Sequence, residues 1–309
     1  MTSIEYIEYY IPENYVTISD FINHLGNFSM PKEFNNDKEE FIEFLERYVG
    51  LTKINIEDEL DEYGLMDKII SGHLSKNVIN PKEVDLIINF SEDEYFFIRN
   101  CGHYIKQRFG FVNADVMQIT GNSCANLDIA LAYSTKLISS GFKENIFLCG
   151  GNKITDYNKR VAGTFSLIGD AYGVVNIKSG NSALMLKDFE IVTVGNLYQE
   201  DNSDNQSDTI SDMYFKCFNR LFLRNRKDEI KEILIPNGFP LLLTQCLSKL
   251  GFNKELIFNQ NIAKGHFTYL DSLINLKDFI KGNPTFKGEI LLFNFSWAGT
   301  AIASIYTYY

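Results

Sequence analysis

The stretch DVMQITGNSCANLDIAL (residues 115–131) joins an extended run to an apolar helix through a short polar turn. Residues 114–120 are predicted as a strand, and the residues just before Cys124 can form a turn and a helix cap. From Ile129 apolar residues recur at helical spacing until a stop near Gly141. The pattern therefore predicts Cys124 at the N-terminus of a buried helix, directly after a strand.

That position suits a nucleophile. Unpaired backbone N–H groups and the positive end of the helix dipole favour a thiolate, which is the reactive form of cysteine. The alternative is a structural cysteine, because cysteine is among the residue types most often buried. Cys124 is the first candidate catalytic residue, and the rest of the sequence has to decide between the two interpretations.

Composition indicates an ordinary globular protein of 309 residues, 45% hydrophobic and 14% aromatic, long enough for two domains. Its five cysteines are widely spaced, without a Cys-x-x-Cys pair or a secretory leader, which predicts a reducing cytoplasm. The net charge of −11 argues against nucleic-acid binding, which needs a basic surface. No run approaches the ~18 apolar residues of a membrane span, so no membrane insertion is expected.

Strand-like and helical runs alternate along the chain, which predicts a layered α/β fold. In the first part the predicted order is a strand at 84–90, a helix at 95–108, the strand at 114–120, the Cys124 helix and a strand at 145–151. Residues 169–177 and 181–186 are predicted to pair with each other around a tight turn.

Residues 200–212 are polar and are interpreted as a surface connection. A second α/β pattern follows, with a helix from Met213, a strand at 232–236, helices at 239–250 and 270–280, and strands at 289–295 and 301–307. The chain is therefore predicted to have two similar halves, 1–188 with the cysteine and 189–309.

Six short motifs, in order, resemble those of the thiolase-like fold and more narrowly the ketoacyl synthase III group of condensing enzymes and acyltransferases. The cysteine turn Ser-Cys-Ala-Asn resembles the group's Cys-Ala-Gly turn, and the others are NPKEVDLII (80–88), GDAYG (169–173), IPNG (235–238), KGHF (264–267) and FSWAGT (295–300). The resemblance spans most of the chain and implies a layered α-β-α-β-α arrangement. It also implies an acyl thioester of coenzyme A or an acyl carrier protein as substrate, no bound cofactor or metal, and a homodimer or a heterodimer.

Condensing members of the group carry a Cys, a His and an Asn in their active site, and this chain departs from that set at two positions. Here Asn237 stands at the His position and His266 at the Asn position. Asp271 follows five residues after His266, and some acyltransferase-like members show a similar Gly-His followed by an Asp. A carboxylate could orient the imidazole so that the other ring nitrogen acts as a base, although Asp271 could instead cap the following helix.

Two further features bear on the substrate. The resemblance implies an oxyanion hole at the backbone of Cys124 and the 296–299 turn, where Trp297 and Ala298 replace family glycines. A basic helix could attract an acidic carrier protein, or it could be an ordinary solvated face; its cations are Lys216, Arg220, Arg224 and, on the next helix, Lys249.

Three functions remain open at this stage. The first is transfer of an acyl group from Cys124 to a hydroxyl or amine in secondary metabolism, because His266 with Asp271 suits a base. The second is decarboxylative carbon–carbon condensation, in which Asn237 and His266 both act as donors to an enolate. The third is a partner subunit without catalytic activity.

Overall fold

The structure is a computed structural model that describes residues 2–25, 30–76, 79–91, 101–162, 166–195 and 203–309, apart from the side chains of 203–208. The strands are β1 (Thr2–Tyr10), β2 (Tyr15–Thr17), β3 (Lys53–Asn55), β4 (Leu86–Asn89), β5 (Asp115–Gln118), β6 (Asn145–Asn152), β7 (Val161–Ala162), β8 (Ser166–Leu167), β9 (Ala171–Ser179), β10 (Leu184–Thr193), β11 (Ile230–Leu234), β12 (Ile257–Phe258), β13 (Gly288–Ser296) and β14 (Thr300–Tyr308). The helices are α1 (Ile18–His24), α2 (Lys38–Glu43), α3 (Glu62–Ser75), α4 (Cys101–Phe109), α5 (Asn126–Ser139), α6 (Ser203–Phe222), α7 (Pro240–Lys249) and α8 (Asp271–Gly282).

Ten strands form one sheet in the order β12-β11-β13-β14-β10-β1-β9-β6-β4-β5. Its two halves have the same internal order. The first half consists of β1, β4, β5, β6 and β9, and the second half of β10 to β14. When the five strands of each half are numbered 1 to 5 along the chain, both halves have the order 3-2-4-5-1 from the outer edge of the sheet to its centre. The second set begins with β10, so the predicted boundary after residue 188 falls inside that strand.

The helices and the two halves of the sheet form five layers, with hydrophobic cores between them. Helices α5 and α8 pack together between the two halves of the sheet, around a core that includes Leu131, Val175, Ile274 and Leu292. On the outer sides, α3 and α4 cover the first half of the sheet, and α6 and α7 cover the second. This α-β-α-β-α arrangement confirms the predicted fold class. Within the described residues, no helix is long and apolar enough to cross a membrane.

Two predicted elements differ from the structure. Strands β9 and β10 do not pair with each other, because β1 lies between them and bonds to both. The polar segment 200–212 is not a surface connection from residue 203 onward, since α6 begins there. Its polar residues carry only small helix-propensity costs, and the apolar stripe that starts at Ile210 anchors the helix. Residues 200–202, and 95–100 of the predicted 95–108 helix, lie outside the described residues.

Candidate active site

Cys124 lies in a single 3₁₀ turn, Ser123–Ala125, between β5 and α5. Ser123 before it has φ 45°, a left-handed conformation that costs a non-glycine residue about 1–3 kcal/mol. The cap predicted at Asn122 does not form, since neither Asn122, the N-cap of the 3₁₀ turn, nor Ala125, the N-cap of α5, makes a side-chain capping bond. Instead the Asn126 carboxamide accepts a hydrogen bond from Asn122 N at 3.0 Å. The strained turn is thus held from inside α5.

His266 comes from the loop before α8 and is fixed by residues of the first half. Its backbone N donates to Leu167 O at 3.1 Å, and its carbonyl accepts from Gly169 N at 2.9 Å. Gly265 supplies φ 101°, a region that side chains rarely adopt. The imidazole also packs against Gly238, where an added Cβ would lie 3.0 Å from the ring atoms.

The structure brings Cys124, His266 and Asp271 together. The Cys124 Sγ atom is 3.2 Å from His266 Nε2, and His266 Nδ1 is 2.5 Å from Asp271 Oδ2. Cys124 is 7% exposed, His266 1% and Asp271 0%, so Cys124 is the most accessible of the three residues. The order thiol–imidazole–carboxylate is that of a nucleophile, a base and an orienting group.

The Asp271 carboxylate binds the loops around it. It accepts hydrogen bonds from Phe267 N and Asn237 N, both at 2.7 Å, in addition to the His266 ring. Asp271 is the first residue of α8, and these bonds run to preceding loops. The alternative prediction that Asp271 caps the following helix is therefore wrong.

Burial lowers the pKa of His266, but the charges and hydrogen bonds of Asp271 and Cys124 outweigh burial and raise it to about 10. The imidazole therefore holds its proton at neutral pH.

Several solved structures share this architecture. 3-Oxoacyl-[acyl-carrier-protein] synthase III from Aquifex aeolicus VF5 superimposes with a TM-score of 0.81 at 16% identity, over 100% of both chains. OleA from Xanthomonas campestris, with cerulenin bound, gives 0.82 at 10% identity, over 99% of this chain and 98% of that chain. The acyltransferase ChlB3 gives 0.82 at 10% identity, over 99% and 97%.

The chain has the thiolase-like fold of ketoacyl synthase III. This confirms the predicted resemblance at the level of the fold. No family model matches the sequence, and no curated protein matches it. Because the identities to these thiolase-like structures are low, the reaction has to be argued from the site itself.

Asn237, which the resemblance places at the His position of the group, has its side chain engaged by two other residues. Its carboxamide donates to Gly265 O at 3.1 Å and accepts from Asn275 Nδ2 at 3.2 Å. Its role as a donor to a substrate oxygen stays a prediction, and in this structure its amide supports the His266 loop.

The predicted oxyanion turn is partly occupied by its own hydrogen bonds. Ala298 N donates to Ser296 Oγ at 2.9 Å, and Gly299 N donates to Ser296 O at 3.0 Å. Trp297 is 42% exposed, and its ring lies edge-on to Phe239, which in turn lies edge-on to His266. The turn therefore presents an aromatic wall beside the site, and a donor role for its amides stays a prediction.

The predicted basic helix is largely neutralised by β10. Arg224 pairs with Asp188 at 3.1 Å and with Glu190 at 3.0 Å, and Arg220 lies 3.5 Å from Glu190. Lys216 and Lys249 are both exposed. The helix has a smaller positive field than its sequence indicates, and carrier binding by these residues stays a prediction.

Sequence reasoning missed three buried polar residues beneath Cys124, namely Asp128, Ser272 and Asn294. The signal was present, because Asp128 is a lone acid in an apolar helix and Asn294 interrupts an apolar strand. Their partners lie far along the chain, and only the structure brings them together.

Proposed function

We propose that this protein transfers an acyl group from a coenzyme A or carrier-protein thioester to a hydroxyl or amine through a Cys124 acyl-enzyme. The observation that carries the proposal is the continuous contact from Cys124 Sγ to His266 Nε2 and from His266 Nδ1 to Asp271. A base held by a carboxylate suits proton removal from a heteroatom acceptor.

In the first half-reaction the Cys124 sulfur attacks the thioester carbon. The bond to the donor sulfur breaks, and the departing thiolate takes the proton held by His266. The acylated Cys124 sulfur is then a neutral thioester, so its contribution to the raised pKa of His266 disappears.

In the second half-reaction the unprotonated His266 accepts a proton from the incoming hydroxyl or amine as that group attacks the acyl carbon. Asp271 stabilises the imidazolium that forms. The Cys124 sulfur then leaves as a thiolate while His266 keeps the proton, which restores the resting enzyme. General-base assistance of this kind contributes ~10²–10⁴ in rate.

The competing function is decarboxylative condensation, which needs two hydrogen-bond donors to the enolate oxygen. The Asn237 amide is engaged with Gly265 O and Asn275, which favours transfer over condensation. The third possibility, a partner subunit without catalytic activity, is disfavoured by the assembled Cys124–His266 contact.

The proposal is tested with His266→Ala. Cys124 should still accept an acyl group from a panel of acyl thioesters, but the adduct should persist when alcohols or amines are added, because the base is gone. Intact-protein mass spectrometry measures the adduct and its decay. If wild type instead decarboxylates a malonyl thioester, and both His266→Ala and Asn237→Ala abolish this, the protein is a condensing enzyme.

We also propose a homodimer or heterodimer formed through β5, the four-residue strand at one edge of the sheet. An unpaired edge is a ready pairing surface, and the exposed Val112 and Met117 lie on or near it. Sedimentation at micromolar concentration should give a dimer, and a monomer would contradict this part of the proposal.

A further inference from the structure

A buried polar cluster lies directly beneath the nucleophile. Asp128 Oδ2 accepts hydrogen bonds from Ser272 Oγ at 2.9 Å and Asn294 Nδ2 at 2.8 Å. The same Asn294 amide group donates to Cys124 O at 2.7 Å. The three side chains are 0–3% exposed and come from α5, α8 and β13, so the cluster is a tertiary connection.

The cluster connects the two catalytic segments. Asp128 lies one helical turn after Cys124, and Ser272 is the residue next to Asp271. A rigid link between these two helix starts therefore controls the position of the sulfur relative to the imidazole that Asp271 holds.

The cluster is costly for folding. A buried carboxyl group loses its hydration, and a well-packed apolar group in its place is often neutral or stabilising. Burial, with the nearby charge of Asp271 adding to it, raises the pKa of Asp128 to about 7 against the opposing bonds from Asn294 and Ser272. Its second oxygen, Oδ1, has no hydrogen-bond partner among the described residues.

We propose that Asp128 is a positioning residue: through Asn294 and Ser272 it holds the start of α5 against the start of α8 and so sets the Cys124–His266 contact. This inference rests on the proposed function. The cluster requires an acceptor at one oxygen of residue 128, which the carbonyl oxygen of a neutral acid or of an amide supplies.

The test compares Asp128→Leu with Asp128→Asn. Leu is apolar and close in volume, so it removes the acceptor, whereas Asn keeps it. Two rates are measured well below the melting temperature: alkylation of Cys124 by iodoacetamide, and acyl loading from an acyl-CoA. Because a displacement of 1 Å can cost ~10² in rate, Asp128→Leu should lower both by roughly 10–100-fold. Asp128→Asn should recover most of the loss.

Two serine variants provide a matched pair. Ser272→Ala and Ser134→Ala each remove one buried hydroxyl, but Ser134 Oγ donates only to Ala130 O within α5. We expect Ser272→Ala to slow alkylation several-fold and Ser134→Ala to leave it at the wild-type rate. This pair keeps the test decisive even if Asp128→Leu does not fold.

Wild-type rates in folded Asp128→Leu and in Ser272→Ala would overturn the inference, and so would an Asp128→Asn variant as slow as Asp128→Leu. Failure of the proposed function looks different, because wild type itself would then either not load an acyl group or decarboxylate a malonyl thioester. The alkylation rate would still report how Asp128 positions the sulfur.

Discussion

The two halves of the sheet share one strand order but have different site residues at the equivalent helix start. In each half a helix follows the third strand and leads to the fourth: α5 after β5 and α8 after β12. The proposed nucleophile, Cys124, lies just before the start of the first helix. The second begins with Asp271, and His266 stands in the loop that leads to it.

The connections to these helices differ in length and support. The first is a tight turn of residues 119–125, with a strained Ser123. The second runs over residues 259–270 and forms backbone hydrogen bonds with Leu167 and Gly169 of the other half. The comparison teaches that a scaffold with two similarly ordered halves can place two helix starts against each other, so that each half contributes a different part of the proposed site.

The largest effect should come from removing the proposed nucleophile of the first half. Cys124→Ala should abolish acyl loading while retaining the fold, because no other thiol lies at the strand-to-helix turn. Intact mass after incubation with an acyl-CoA measures it. Cys246→Ala is the matched control and should load normally. An adduct on Cys124→Ala protein would assign the nucleophile to another residue.

Asp271→Asn tests the helix start of the second half. The imidazole remains but loses the anion that orients it, so the acyl-enzyme should turn over more slowly. The loss should be smaller than the ~10²–10⁴ of a missing base. Single-turnover decay of the adduct measures the effect.

Asp58→Asn is the control, because it makes the same change at an exposed carboxylate. Equal decay rates in wild type and Asp271→Asn would mean that Asp271 serves the loop only, through its bonds to Phe267 N and Asn237 N.

A smaller effect is expected from Gly238→Ala. The added Cβ would lie 3.0 Å from three ring atoms of His266, so the imidazole must move by a few tenths of an ångström. We expect a several-fold loss of turnover, because catalytic distances are sensitive to such shifts. Gly72→Ala in α3, where an added Cβ meets nothing within 4 Å, is the control. Unchanged turnover would show that the loop absorbs the shift.

The local pattern of the sequence predicted much of this arrangement. The strand–turn–helix around Cys124 and the alternation of later elements are local signals, and the structure has them. The placement of β1 was not predictable, because an extended run of nine residues does not indicate which strands it pairs with. Residues 11–79, whose helices α1 and α2 pack around their own core, carried no interpretable motif.

The residues of the site were likewise predictable from the sequence only in part. Cys124, His266 and Asp271 stand in motifs, so residue types and order indicated them. Asp128 binds side chains 144 and 166 residues further along the chain, and no local pattern encodes such pairs. The ion pairs of Arg220 and Arg224 with β10 were missed for the same reason, since helix and strand meet only in the folded protein.

The smallest effect concerns the point where the two helix starts meet, and it appears in the pH dependence of stability. Burial raises the pKa of Asp128 from its ordinary value of ~3.9 to about 7, and the nearby charge of Asp271 adds to the shift. Between these values the folded state holds a proton that the unfolded state has lost. Folding stability from this group therefore falls as pH rises from about 4 to about 7, by at most ~1.4 kcal/mol per pH unit.

Asp128→Asn removes this dependence, so its free energy of unfolding should rise relative to that of wild type between pH 5 and 7 and level off above pH 8. Urea titrations at pH 5, 6, 7 and 8 measure the difference. His266 is present in both proteins, so its own titration largely cancels. Asp58→Asn, an exposed change of the same charge, is the control. A constant difference from pH 5 to 8 would mean that Asp128 keeps its charge in the folded protein, and the two helix starts would then meet around two carboxylates rather than around one carboxylate and a neutral acid.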